Sequence, residues 1–232
     1  DFSIKDYRCV LSLRDPEDKE KYHPDDEMWN KAENELREVL NELGIKYTEE
    51  IGEAAFYGPK LDVNVKPAVG AEYTLSTCQL DFCLPAKFNL KYIDENGERK
   101  TPVVLHRAIL GSLDRFMAYI LEETKGALPV WLAPVQVNII PVNNEYHLEY
   151  AKKIEKMLEE ANIRVKLDDR NEKLTYKMRE SQTKKVPYTI IIGDKERDAN
   201  TVTVRLHGTT ENITLDKDEF LSKIKEVIQN KN

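Results

Sequence analysis

From residue 135 onward, strand patterns and helix patterns alternate in an order that leaves few folds open. Apolar runs at 135–141, 163–167, 188–192 and 201–206 have strand length, and amphipathic stretches at 145–160, 173–184 and 216–229 have helix length. Strands alternating with helices predict a mostly parallel sheet with helices on its faces. About 100 residues make this an independent α/β domain. Gly126, Pro129 and Pro134 interrupt both periodicities just upstream, and the charge balance changes there too. We therefore expect two domains, residues 1–128 and 129–232.

The first half reads as α+β. Residues 25–43 form a helix with Met28, Trp29, Ala32, Leu36, Val39, Leu40 and Leu43 as its apolar stripe, Asp25 as N-cap and Gly44 as the stop. A short extended piece follows at 45–48. Residues 60–66 alternate apolar and polar side chains as a half-buried strand, a turn at 67–70 reverses it, and 72–82 returns antiparallel. A second pair, 89–93 with 101–105, is joined across Asn96-Gly97. A helix over 108–123 closes this half, with Leu110, Leu113, Phe116, Met117, Ile120 and Leu121 on its inner face.

Composition narrows the class further. With 41% hydrophobic and 33% charged residues, a wholly disordered chain is excluded. No apolar run approaches the ~18 residues of a membrane span, and residues 1–7 lack a basic segment followed by an apolar one. Cys9, Cys78 and Cys83 form no finger-like spacing and read as free thiols of a reducing compartment. These features suit a cytoplasmic protein with no membrane partner. The net charge of −7 is uneven: residues 1–130 carry 17 basic and 25 acidic side chains, whereas 131–232 carry 18 and 17. Residues 164–185 alone hold eight basic and four acidic side chains. Such a run is either a solvated mixed-charge face or a patch that meets phosphate.

One cluster in the first half suggests chemistry. His106, Arg107, Ser112 and Arg115 sit where a strand feeds a helix through Gly111, and helix starts favour anions. A hydrogen-bonded structural histidine and a surface salt bridge are the plainer readings of His106 and Arg115. Among known motifs, no Gly-rich phosphate loop, Ser/His/Asp triad or multi-Cys zinc pattern occurs.

Longer strings carry more information. AFYGPK at 55–60, LSTCQLDF at 75–82 and PVVLHRAILGSLDRF at 102–116 resemble the threonyl-tRNA synthetase family, as do WLAPVQ at 131–136, RNEK at 170–173, KVPY at 185–188 and GDKE at 193–196. The likeness runs in unbroken order from about residue 26 to the C-terminus. It implies part of a class II antiparallel catalytic sheet followed by an α/β anticodon-binding domain with a mixed, mostly parallel sheet. The family joins threonine to ATP, with Mg, and passes the acyl group to the threonine tRNA; the intact enzyme is a homodimer.

By the same resemblance, His106 matches one of three zinc ligands. A Lewis acid that takes the threonine hydroxyl discriminates against valine, which an apolar pocket does poorly. Tyr57, Thr77 and Gln79 match residues of the amino-acid and adenylate pocket, although each alone reads as ordinary sheet packing. Ser112 and Arg115 match the third class II motif, whose arginine contacts ATP phosphates as a catalytic group. Asn171, Arg179, Glu196 and Arg205 match anticodon-reading positions, where unstacked bases offer their edges. The basic run 164–185 would supply phosphate contacts that position the RNA. For Glu196, a surface pair with Lys195 or Arg197 is the alternative.

Two departures qualify the resemblance. The first two class II motifs and the other two zinc ligands have no counterpart here, and Thr74 stands where many relatives place a glutamine that helps hold the nucleotide. The expectation is a fragment, catalytically incomplete alone, that retains anticodon recognition. A stand-alone tRNA-binding or regulatory module and an RNA-independent small-molecule sensor are the competing readings.

Overall fold

The computed structural model describes residues 2, 4, 6–67 and 70–231. They divide into two compact units, the chain passing from one to the other between Tyr119 and Ile120.

In the first unit, a five-stranded sheet is built from β1 (Tyr7–Leu13), β2 (Tyr47–Ile51), β3 (Lys60–Val65), β4 (Tyr73–Asp81) and β7 (Val104–Ala108), in the order β2-β1-β3-β4-β7. β1 and β2 are parallel; the other neighbours are antiparallel. α1 (Asp26–Glu42) starts as expected, with the Asp25 side chain accepting from the Met28 N–H at 3.0 Å. It buries Trp29, Ala32 and Leu40, whereas Val39 and Leu43 of the expected stripe are exposed. Trp29 packs edge-on against Tyr22 and Phe82, and Leu40 joins Leu11 and Leu13 of β1.

Three expectations for this unit are corrected. The 89–93 and 101–105 pairing is a two-residue ribbon, β5 (Tyr92–Ile93) with β6 (Arg99–Lys100), preceded by the one-turn α2 (Leu84–Lys87). Pro102 lacks an N–H, and the ladder does not continue through it; residues 104–108 pair instead with β4, His106 opposite Gln79. The closing helix, α3, begins only at Leu113 and runs to Glu123, its last residues lying past the boundary at Tyr119. Gly111 sits at φ +65°, outside helical backbone, where a Cβ would lie 2.7 Å from the Leu75 carbonyl oxygen. On α3, Phe116, Tyr119 and Ile120 are buried, whereas Leu113, Met117 and Leu121 form a separate i, i+4, i+8 stripe that is exposed. The turn expected at 67–70 includes Ala68 and Val69, which lie outside the described residues. Sequence periodicity missed β1 because Val10 to Leu13 are all buried and do not alternate.

The second unit has the predicted alternation. β8 (Val137–Pro141), α4 (Asn144–Glu160), β9 (Val165–Leu167), α5 (Leu174–Thr183), β10 (Tyr188–Ile192), α6 (Asp194–Ala199), β11 (Thr201–Leu206), β12 (Ile213–Asp216) and α7 (Lys217–Gln229) follow in order. The sheet order is β12-β11-β10-β8-β9, with β9, β8 and β10 parallel and β11 and β12 added antiparallel. Short α6 and β12 escaped periodicity, each being little more than one repeat long. Val137, Ile139, Ile154, Leu158, Ile190, Ile192, Val202 and Ile224 form a continuous apolar core. No helix among the described residues is long and apolar enough to cross a membrane.

The α5 side of this sheet is polar and tightly bonded. Asp168, at the end of β9, is buried and receives Arg170 Nη2 at 2.6 Å and Nε at 2.8 Å. Buried Lys177 donates to the Asp168 carbonyl at 2.9 Å, and Ser181 of α5 meets Thr189 of β10 at 2.7 Å. The Arg170 hydrogen bonds outweigh burial and hold the Asp168 carboxyl below the usual carboxylate range. Its stabilising contribution is therefore complete above the unfolded value, about pH 4, and is lost as pH falls through the lower folded value. Hydrogen-exchange protection of β8 amides should hold from about pH 7 to pH 5 and fall below about pH 4, with a weaker fall in Asp168→Asn. Leu158→Ala, at a fully buried position, should cost about 2–5 kcal/mol by chemical denaturation followed on the same unit.

Candidate functional site

Each unit carries one cluster of the residues singled out from sequence. In the first, β4 and β7 lie side by side with Gln79 opposite His106 and Thr77 opposite Ala108. The Tyr57 hydroxyl donates to Gln79 Oε1, and Gln79 Nε2 donates to Thr77 Oγ1 at 3.3 Å. The Tyr57 and His106 rings are 5.5 Å apart. Tyr57, Thr77, Gln79 and His106 thus form one connected patch. Tyr57 is delivered there by the 55–60 loop, in which Gly58 passes so close to the Leu80 carbonyl that a Cβ would collide with it. Burial, then the Asp81 charge, raises the Tyr57 hydroxyl pKa and keeps it a donor.

Sequence reading missed Asp81, which organises this patch. It is fully buried, accepts the N–H groups of Cys83 at 3.0 Å and Leu84 at 2.9 Å, and meets His106 Nε2 at 2.9 Å. A carboxylate behind one ring nitrogen fixes the imidazole and leaves the other nitrogen free, the arrangement that orients metal-bound histidines. Its position two residues after Gln79, on the same strand face, is the signal that could have found it. Even so, no group of three His, Cys, Asp or Glu that could hold a metal ion occurs among the described residues. One imidazole cannot close a tetrahedral zinc site, so these residues do not by themselves fit the metal.

Ser112 and Arg115 stand apart from the patch in their contacts. Ser112 Oγ caps α3, accepting the Arg115 N–H at 3.4 Å. The Arg115 guanidinium lies 5.7 Å from the Tyr73 ring centroid, at the other end of β4. Arg107 is structural, its Nη1 bonded to Ser76 Oγ and to the carbonyls of Thr77 and Ala108. Thr74 spends its hydroxyl on Asn64 Oδ1 at 2.8 Å.

In the second unit, Arg179 from α5, Glu196 from α6 and Arg205 from β11 converge on one cleft of about 700 Å³, with Gln182, Lys195 and Asn212 also in its wall. Arg205 Nε donates to Asn212 Oδ1 at 2.8 Å, which orients the guanidinium. Glu196 accepts the Gly193 N–H at 2.9 Å and the Thr203 hydroxyl at 2.7 Å. It is therefore held inward, and the surface pairing with Lys195 or Arg197 is not what fixes it; Arg197 pairs with Asp194 and Asp198. Burial raises the Glu196 pKa, but the bonds from Thr203 and Gly193 outweigh it, and the carboxyl stays below its usual range. Asn171 does not join this cleft. It lies in a separate one with Asn143, Asn144 and Lys177.

The basic run 164–185 proves largely structural. Arg164 donates to the carbonyls of Ala133 and Trp131, Arg170 bridges Asp168 and Glu180, and Lys177 is buried. Lys184 pairs with Glu180 and Lys185 donates to the Lys125 carbonyl. Of the eight cations, five are thus engaged within the unit. Lys166, Lys173 and Arg179 have no side-chain ion pair or hydrogen bond among the described residues. Linear charge density could not reveal this, because the partner oxygens come from distant positions.

Comparison with known proteins finds one family-model match in each part of the chain. Residues 15–124 match the tRNA synthetase class II core domain (G, H, P, S and T), and residues 136–227 match the anticodon binding domain. Threonine–tRNA ligases of Staphylococcus aureus strains JH9 and Newman are each 57% identical over 221 residues, covering 95% of this chain. The chain spans 34% of the length of those relatives. The crystal structure of the RNA binding domain of threonyl-tRNA synthetase from Cryptosporidium parvum Iowa II superposes with a TM-score of 0.85 at 35% identity, covering 95% of this chain and 55% of that one. The chain belongs to the threonyl-tRNA synthetase family of class II synthetases, and it carries part of the core domain together with the anticodon-binding domain.

Proposed function

We propose that this chain supplies the anticodon-reading unit and part of the amino-acid and adenylate pocket of an ATP-dependent threonine–tRNA ligase. The observation that carries the reading is the convergence of Arg179, Glu196 and Arg205, from three separate elements, on one cleft. A carboxylate repels phosphate, so Glu196 among these arginines suits an acceptor for base N–H groups. Arg205, steadied by Asn212, and unpaired Arg179 are the matching donors to base carbonyls or phosphate. Asn171 would meet the RNA at its own cleft, beside Asn143 and Asn144. With most of the 164–185 cations engaged internally, Lys166, Lys173 and Lys195 are the better candidates for backbone contacts.

In the first unit, Tyr57, Thr77 and Gln79 would line the threonyl-adenylate pocket, and Arg115, at the start of α3, would contact the phosphates of Mg-bound ATP. His106, oriented by Asp81, would be this chain's contribution to a zinc site completed by residues from elsewhere in a longer protein. Zinc there would supply Lewis acidity toward the threonine hydroxyl. We assign the division of labour to residues 1–128 and 129–232, and place the whole protein, a homodimer, in the cytoplasm, where unpaired Cys9, Cys78 and Cys83 would stay reduced.

Two outcomes are expected. The 232-residue chain should bind a tRNA with a threonine anticodon more tightly than the same tRNA with its anticodon exchanged. Glu196→Gln should shrink that ratio about tenfold, whereas Lys195→Ala should weaken both RNAs alike; equal affinity of the parent chain for both RNAs would end the anticodon reading. The chain alone should show no threonine-dependent pyrophosphate–ATP exchange, since it adds only one zinc-site histidine and one phosphate-contacting arginine to the Tyr57, Thr77 and Gln79 pocket. Exchange at the rate of an intact synthetase would refute that.

A further inference from the structure

The acceptor side of the second unit's cleft has a fixed proton order. Glu196 Oε2 takes the Gly193 N–H at 2.9 Å, and Oε1 takes the Thr203 hydroxyl at 2.7 Å. An ionised carboxylate only accepts, so the single hydroxyl proton of Thr203 is committed to Glu196. The second contact of that oxygen, 2.9 Å to Thr214 Oγ1, must be one it accepts. Thr214 is the donor, and the order runs Thr214 to Thr203 to Glu196 across β12, β11 and α6.

Two consequences follow. Thr214, exposed in the cleft wall, has only lone pairs left to offer. Glu196 has both oxygens anchored from behind, and the cleft receives their remaining lone pairs. An acceptor-only surface then stands in the same cleft as the cationic donors Arg179, Lys195 and Arg205. Thr203 itself is 9% exposed and sits in the middle of β11, paired with Ile191 on one side and Thr214 on the other. Its backbone is fixed by two ladders, so its hydroxyl has little freedom to follow a moving carboxylate; the carboxylate must come to it.

Resting on the anticodon reading above, we propose that Thr203 is a positioning residue for base discrimination, holding the Glu196 carboxylate with its free lone pairs toward the N–H groups of an incoming nucleobase. It does not touch the RNA. Without its hydroxyl, Glu196 keeps only the Gly193 anchor and can swing toward Lys195, where it reads no base. Valine preserves the shape and strand preference of threonine at this position and removes only the hydrogen bonds.

The test uses the full 232-residue chain with Thr203→Val, Thr203→Ser and Glu196→Gln. Two readouts are taken: affinity for a tRNA with a threonine anticodon against its anticodon-exchanged counterpart, and the pH titration of the Glu196 side-chain carboxyl by carbon-13 NMR without RNA. Thr203→Val should lower the affinity ratio about tenfold, approaching Glu196→Gln, and should move the Glu196 titration to higher pH. Thr203→Ser should restore both. An unchanged ratio and titration in Thr203→Val, with Glu196→Gln still losing discrimination, would overturn the proposal. If the parent chain does not distinguish the two RNAs, the anticodon reading fails, and an unchanged titration in Thr203→Val independently removes the relay. Should the valine variant not fold, Thr203→Ala serves both readouts with the same expectations.

Discussion

The second unit depends on a buried negative charge. Asp168 sits at the end of β9 with almost no access to water, and an unpaired carboxylate there would cost several kcal/mol. Arg170, two residues on, reaches back to it with two nitrogens and also grips Glu180 on α5. Lys177, one turn earlier on that helix, donates to the Asp168 carbonyl. Together these bonds fix the rotation of α5 about its axis. Arg179 lies between Lys177 and Glu180, so the same rotation that neutralises the carboxylate delivers Arg179 to the cleft. The polar layer beneath α5 thus shapes the cleft beside it, although none of its buried members lines that cleft.

The first unit solves a similar problem with opposite means. Asp81 is satisfied mainly by backbone N–H groups at the start of α2 and by a half-exposed histidine, with no arginine fork. Backbone donors do not move, so the carboxylate is a rigid anchor and His106 inherits that rigidity. Tyr57, Gln79 and Thr77 form a second string of bonds beside it. This patch is preorganised before any ligand arrives, which favours selectivity over adaptability.

How much of this was legible in the sequence differed by feature. The strand–helix alternation after residue 135 was readable because β8, β10 and β11 are rich in apolar residues and α4, α5 and α7 each have several turns. The first unit was harder. β1 is buried on both faces and so does not alternate, while β7 and the start of α3 were displaced by Pro102 and Gly111. Those residues act through a missing donor and through a backbone angle, not through periodicity. Candidate residues such as Gln79, His106 and Glu196 were singled out through their motif strings. Asp81, Thr203 and Thr214 were not, since their importance lies in what they bond to, and the partners are 25, 7 and 11 positions away. The charge run at 164–185 misled for the same reason: five of its cations end on oxygens of this unit.

The two clusters also differ in what a substitution can reach. In the Asp81 patch most anchors are main-chain groups, so side-chain changes remove ligands without loosening the frame. In the Glu196 cleft one of the two anchors is a threonine hydroxyl, itself supplied with a proton by a second threonine. A hydroxyl has one proton to give, so the direction of the whole chain is set by the charge at its end. Protonating Glu196 would let that oxygen donate, free Thr203 to reverse, and turn Thr214 from acceptor to donor at the cleft wall. Because the bonds from Thr203 and Gly193 hold the carboxyl below its usual range, the acceptor order is maintained well below neutral pH. The hydrogen bonds that aim the carboxylate are thus the same ones that keep it charged, and aim and charge are lost together.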